Sequence, residues 1–239
     1  MSTHFIVLAA GLGSRLGRPH HKGLTQLMTG ETILSRQLKL ISVTSPTSVT
    51  VVTGFEAETI VKKFSGTCPD LRFLNNSHYL TTNTSKSLLL ALQSLPEGAD
   101  AVWLNGDVVF SDSLLPKLLQ NLTESVIGTT THEVSDEEIK FTTTPDGGVC
   151  SLSKTVPLDD AEGEGVGVNY IHAADMEAFI HALQHVQDTD YFEKAVELTI
   201  HEGSARWVPF NLTDHDLTAV EVDYEEDLIQ ANNSLMEKD

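Results

Sequence analysis

The chain has 239 residues, 40% of them hydrophobic, enough for one large α/β domain with a substantial buried core. Fifteen Lys and Arg against 34 Asp and Glu give a net charge of −19, which argues against nucleic acid and anionic membrane surfaces as partners. Two cysteines, Cys68 and Cys150, with no CxxC pair give no disulfide framework, and the first apolar run is too short for a signal segment or a membrane span, so a cytoplasmic protein is expected.

Residues 5–10 form a short apolar strand that runs into Leu8-Ala9-Ala10-Gly11-Leu12-Gly13-Ser14-Arg15-Leu16-Gly17 and on to Lys22. Gly11, Gly13 and Gly17 allow a tight turn and a close backbone approach to a bound group. Successive amide N–H groups in such a turn point at an anion, while Arg15, Arg18 and Lys22 supply charge-assisted hydrogen bonds. The spacing matches neither a Walker loop nor a complete dinucleotide fingerprint, and by itself it also fits an ordinary glycine-rich turn.

Helical spacing then covers residues 33–42, a β-branched strand 48–53, a short helix 56–64, a strand 71–74, a helix 84–95 and a strand 101–104 that ends at Asn105-Gly106-Asp107. This alternation implies a parallel sheet covered on both faces, with ligands at the carboxyl ends of its strands. From residue 124 the pattern changes. Strands are expected at 126–131, 139–144 and 149–153, with a hairpin turn at Pro145-Asp146-Gly147-Gly148, and again at 165–172 and 206–210. Helices are expected at 176–186, 191–200 and 225–236. The whole chain, 1–239, reads as a single domain of two halves, 1–123 and 124–239, the second adding the far side of the cleft.

Asp107 follows a buried strand, where a carboxylate can reach a metal, although an Asx turn would look the same. Asp223, in AVEVDYEEDL, has equal claim to an N-capping role. The polar string Asn75 to Tyr79 and Asn83 to Ser87 spans a strand end, a loop and a helix start, with Asn83 or Thr84 a plausible cap. The ten histidines are scattered without Cys/His spacing, and none is read as a ligand or an acid–base group. His20 and His21 could lend partial positive charge to the loop below neutral pH.

The glycine loop with its following lysine resembles the signature of the nucleotidyltransferase superfamily that makes nucleotide-diphospho-sugars and CDP-alcohols, closest to phosphocholine cytidylyltransferase-like and MobA-like members. The resemblance implies a three-layer α/β/α Rossmann-like fold with a mostly parallel mixed central sheet. It implies that Leu8, Ala9, Ala10, Gly11, Gly13 and Ser14 wrap the triphosphate, that Arg15 and Lys22 are catalytic, and that Asp107 and Asp223 hold Mg²⁺. Where the family has Pro-Lys, this chain has His21-Lys22, with Pro19 earlier. Asn83, Ser87 and Asn105 become nucleotide candidates, with Asn76 and Tyr79 behind them. Lys154, Glu164, Tyr191 and Glu193 become acceptor candidates. The implied reaction transfers CMP from CTP to a small phosphorylated or phosphonate acceptor, phosphocholine-like. Sugar-1-phosphate and molybdenum-cofactor nucleotidyltransferases are the rival enzymes, and a non-catalytic nucleotide-binding module is the rival class. The oligomeric state, a homodimer included, stays open.

Overall fold

The computed structural model describes residues 3–68, 70–120, 122–131 and 134–236. In chain order the elements are β1 (Thr3–Ala9), α1 (Ile33–Ser42), β2 (Ser48–Thr53), α2 (Ala57–Phe64), β3 (Leu71–Asn75), α3 (Thr84–Leu92), β4 (Asp100–Asn105), β5 (Val108–Phe110) and α4 (Leu114–Leu118). They continue as β6 (Ser125–Thr130), β7 (Lys140–Thr143), β8 (Val149–Ser153), β9 (Gly163–Ile171), α5 (Met176–His185), α6 (Phe192–Glu202), β10 (Trp207–Asn211), β11 (Ala219–Glu221) and α7 (Glu225–Met236).

The main sheet runs β10-β6-β9-β4-β1-β2-β3, with β7 on β9 and β8 on β7. The pairings of β1 with β2 and β4, of β2 with β3, and of β6 with β10 are parallel, while β9 lies antiparallel to β4 and β6. The mixed, mostly parallel sheet carries helices on both faces, as the alternating pattern implies.

Side-chain alternation explains why these strands read as unbroken apolar runs. In β1, Phe5, Val7 and Ala9 pack on one face with Leu34, Leu38 and Ile41 of α1 and Ile60 and Phe64 of α2. Ile6 and Leu8 point the other way, toward Leu88 and Leu92 of α3 and Phe179 and Leu183 of α5. A strand buried on both faces leaves no polar period to see. The second face is anchored by aromatics: Trp103 stacks on Phe179 (5.6 Å) and meets Phe192 and Trp207 edge-on (5.4 and 6.0 Å).

The chain winds β1-α1-β2-α2-β3 over one face, then crosses to the other through α3 before β4 enters beside β1. Reversal of strand order at β1 and β4 opens a crevice outside their carboxyl ends. The glycine loop leaves β1 there, and Asp107 leaves β4 there.

The expected elements appear with shifted ends. α3 stops at Leu92 because its last turn tightens, Ser94 N–H bonding to Ala91 O and Leu95 N–H to Leu92 O ahead of Pro96. α2 starts at Ala57 because Glu56 is left-handed (φ 52°). The sequence pattern did not resolve α4 or the three-residue β5, which pairs with β11 in a separate two-stranded sheet. No helix among the described residues is long and apolar enough to cross a membrane.

β6 and β9 slip register between Ile127 and Thr129, and Gly128 sits in the slip, where a Cβ would lie 2.3 Å from the Val168 carbonyl oxygen. Gly128→Ala is therefore expected to destabilise the fold by about 1–3 kcal/mol. Urea unfolding should show a lower midpoint with the slope unchanged.

Candidate active site

The crevice is a cleft of about 620 Å³. On its floor, Gly13 takes a left-handed conformation (φ 61°), and a Cβ there would lie 2.5 Å from Lys22 Cγ. Gly13 is thus required both by backbone geometry and by the passage of the lysine beneath it.

Lys22 is buried, and its Nζ donates to Asp107 Oδ2 at 3.1 Å and, more closely, to Asp223 Oδ1. Arg15 Nη1 donates to Asp223 Oδ2 at 2.7 Å, and Arg18 pairs with Glu225 at 2.6 Å. Burial works to lower the Lys22 pKa, but Asp107 and Asp223 outweigh it and hold the ammonium charged. Burial likewise works against the Asp223 charge, yet Lys22 and Arg15 pull its pKa below the usual carboxylate range.

His21 fixes where Lys22 points. The lysine opens a 3₁₀ turn whose Gly23 N–H donates to His21 Nδ1 at 3.0 Å, and His21 N–H donates to Glu56 Oε2 at 2.5 Å. The imidazole is buried, and burial lowers its pKa, so the neutral ring keeps the Nδ1 lone pair that caps the turn. Glu56 pays for this contact with its left-handed backbone, a strain on the order of 1 kcal/mol.

A third acid joins the two expected ones. Carboxylate oxygens of Asp107, Glu221 and Asp223 all lie within 4.8 Å of one another. Surrounding protein and then the charges of Asp107, Asp223 and Glu193 push the Glu221 pKa well above the carboxylate range. Because Glu221 is open to solvent on its cleft side, the like charges are the more durable part of that push. Three converging carboxylates suit a hard divalent cation that takes oxygen ligands and completes its shell with phosphate. The signal for Glu221 was present in AVEVD, since residues two apart on a strand face the same side.

The facing wall gathers Lys154, Glu164, Tyr191 and Glu193, all lining the same cleft. Lys154 Nζ sits 5.7 Å from the Tyr191 ring centroid, within cation–π range. Its backbone carbonyl accepts from the fully buried Lys140 Nζ at 2.7 Å. Glu193 Oε2 is buried without a hydrogen-bond partner, and burial raises the residue's pKa to about 7.

Leu8, Gly11 and Asn105 also line the cleft, and a Cβ on Gly167 would meet the Asn105 side chain at 2.7 Å. Ala9 and Ala10 lie beneath it as buried core, and the backbone of Ser14 opens the 3₁₀ turn Ser14–Leu16.

Asn83 and Ser87, the nucleotide candidates, do not line the cleft; Thr84 from the same segment does. Their segment instead holds the chain between α5 and α6. Asn83 N–H donates to Asp188 O (2.8 Å), Asn83 Nδ2 to Thr189 O (3.2 Å), and Ser85 Oγ to Asp190 O (2.6 Å). Phe192 N–H donates back to Thr84 Oγ1 (3.1 Å), and Lys86 Nζ caps the end of α5 through Leu183 O and Val186 O. Ser87 Oγ accepts from Asn76 Nδ2 at 3.0 Å. A polar run near a helix start reads alike whether it binds a ligand or another loop. Among the described histidines, His21 alone lines the cleft; His181 and His185, four residues apart on α5, lie side by side on the outer surface.

Solved structures, a sequence relative and a family model are similar to this chain. Residues 1–239 align along nearly their full length with solved structures: a CTP:phosphocholine cytidylyltransferase from Streptococcus pneumoniae (LicC), at 19% identity and TM-score 0.75, covering 98% of this chain and 100% of that one; and a putative glucose-1-phosphate thymidylyltransferase from Bacillus anthracis, at 16% identity and TM-score 0.76, covering 97% and 94%. HddC from Yersinia pseudotuberculosis gives TM-score 0.73 at 16% identity, covering 97% and 99%. At such identities the likeness is one of fold. In sequence, the chain is 33% identical over 117 residues to a CMP-5'-(3-aminopropyl)phosphonate synthase from Streptomyces rubellomurinus, a match spanning 47% of this chain and 18% of that protein. Residues 5–207 match the model of the MobA-like NTP transferase domain, and with its fold and cleft the chain belongs to that nucleotidyltransferase family.

Proposed function

We propose that this nucleotidyltransferase moves CMP from CTP to a small acceptor bearing a phosphate or phosphonate at one end and a cationic group at the other. The observation that carries the reading is the single cleft that sets Lys22, Arg15 and three converging acids against a wall of Lys154, Tyr191 and Glu193. Glu137, Glu138 and Glu164 line the same cleft and add negative charge beside Lys154, which favours a cationic group there. The names of two relatives, one acting on phosphocholine and one on an aminophosphonate, support a cytidylyl donor and such an acceptor.

In the reaction an acceptor oxygen attacks the α-phosphorus in line, a new O–P bond forms, and the bond to the pyrophosphate oxygen breaks. The acceptor oxygen is already anionic at neutral pH, since the second pKa of a phosphomonoester is about 6, so no general base is needed. Lys22 neutralises charge on the non-bridging oxygens of the reacting α-phosphate and Arg15 holds the outer phosphates. Both cations are paired with Asp223 in the resting protein, so the arriving triphosphate exchanges one anionic partner for another rather than stripping water from bare charges. A magnesium ion held by Asp107, Glu221 and Asp223 would supply further neutralisation of the triphosphate. The test is pyrophosphate release from each of four nucleoside triphosphates against aminophosphonates, phosphocholine and glucose-1-phosphate. Preference for CTP with a cationic acceptor is expected; preference for the sugar phosphate would overturn the acceptor assignment.

Three variants follow from the geometry. Lys22→Ala should lower kcat on the order of 10²-fold or more while calorimetry shows a much smaller loss of CTP affinity. Asp107→Asn and Asp223→Asn should each cost several kcal/mol of activation, on the order of 10³-fold, with the circular dichroism spectrum unchanged.

Ser85→Ala removes the hydrogen bond to the Asp190 carbonyl and loosens the mount of α6. The acceptor KM should rise several-fold while that for CTP stays put, and stability should fall by about 1–2 kcal/mol.

Glu193 supplies a pH signature. With its folded pKa near 7 against an ordinary 4.5, the unfolded chain ionises first, so the Glu193 contribution to stability falls as pH rises from 4.5 to about 7 and levels off above. Glu193→Gln lacks this titration. Thermal midpoints should show the variant gaining on wild type across that window and holding the gain to pH 8.

A further inference from the structure

We infer that the cationic end of the acceptor is a primary ammonium that donates hydrogen bonds to Glu193, and that a quaternary ammonium is discriminated against. The inference rests on the reading of the cleft as a nucleotidyltransferase site with a cationic acceptor, and it specifies which cation.

The observation behind it is an imbalance of hydrogen-bonding groups. Glu193 Oε2 is buried without a hydrogen-bond partner, and Asn105 Oδ1, on another residue lining the cleft, is buried and unpartnered as well. Both atoms are acceptors. A buried acceptor without a donor costs about 1–3 kcal/mol. What these two oxygens lack is therefore an N–H or O–H partner. A primary ammonium brings three N–H donors, and a trimethylammonium brings none. Against a buried carboxylate the donors form charge-assisted bonds, roughly twice as strong as neutral ones.

The aromatic side chains point the same way. Recognition of quaternary ammonium relies on several ring faces closing around the methyl groups. Among the described residues, three of Phe, Tyr and Trp line this cleft: Tyr191, Phe192 and Tyr224. Phe192 is 2% exposed, with its ring packed edge-on against Trp103, so it belongs to the core. Tyr191 already carries the Lys154 ammonium over its ring, and Tyr224 is half exposed ahead of α7. That leaves no cage. Lys154 is itself a primary alkylammonium seated at this wall, and it stays available for the acceptor's phosphate or phosphonate once the ligand's ammonium meets Glu193.

The carboxylate is also well held. Glu193 sits in the first turn of α6, and that helix is fixed by Phe192 in the aromatic core and by the hydrogen bonds from residues 83–86. A rigid acceptor can tell three N–H groups from three N–CH₃ groups, because the methyl groups would both displace the ammonium and leave the oxygen unpaired.

The test is a methylation series on one acceptor skeleton, 2-aminoethylphosphonate with none, one, two and three N-methyl groups, at fixed CTP and magnesium. In wild type, kcat/KM should fall along the series, with at least a tenfold drop from the primary to the quaternary compound. In Glu193→Gln that ratio should shrink through loss of activity on the primary amine, with the KM for CTP unchanged. Calorimetric titration of the four compounds should show the same order of affinity. Equal or better use of the quaternary acceptor by wild type would overturn the inference while leaving the cationic-acceptor reading intact, and so would a ratio that Glu193→Gln leaves untouched. Turnover of glucose-1-phosphate with none of the four amines would overturn both.

Discussion

A lysine ammonium buried between two carboxylates is the contact on which this cleft depends. Taking any of the three charges out of water alone would be costly, and together they tolerate a site only partly open to solvent. Lys22 comes from the loop after β1, Asp107 from the end of β4, and Asp223 from beyond β11. One cation thus ties together three segments that are 85 and 201 positions apart from it. The contact also presets the chemistry, since cations destined for phosphate and acids suited to metal are stored against each other.

The chain's overall charge makes that storage necessary. At −19 the molecule repels a nucleoside triphosphate at long range, so positive charge must be concentrated where the phosphates go. Arg15, Arg18 and Lys22 fall within eight residues of sequence. Each is paired with an acid of the Asp223–Glu225 segment or with Asp107, which keeps the phosphate loop from standing as an exposed cationic patch.

The opposite wall depends on a different kind of contact. Neither Tyr191 nor Glu193 is positioned by its neighbours in sequence; both ride on α6, whose entrance is held by neutral hydrogen bonds from the start of α3. Such bonds are short-range and directional, and they do not weaken with salt as the ion pairs do. The nucleotide side of the cleft is thus set by charge and the acceptor side by backbone capture.

Much of this was legible in the amino-acid order. The helix at 33–42, the strands at 48–53 and 149–153 and the helix at 225–236 agree with the structure to the residue, because a capping Thr32, β-branched runs and an acidic first turn are local signals. The convergence of the glycine loop with Asp107 followed from strand ends in an alternating pattern. Three things did not follow. β5 is three residues long and is a strand only through its pairing with β11. Glu221, on the same side of AVEVD as Asp223, is absent from the metal site expected from sequence and joins it once tertiary pairing brings Asp107 beside both. Asn83 and Ser87 carry groups able to read a base, but the partners that engage their segment lie about a hundred residues away, between the end of α5 and the start of α6, apart from Asn76 on Ser87. Composition and spacing determine which groups can bind and where strands end. Which of those groups remain open to a ligand is decided by long-range packing, since a hydrogen bond made to a distant loop is no longer available to a substrate.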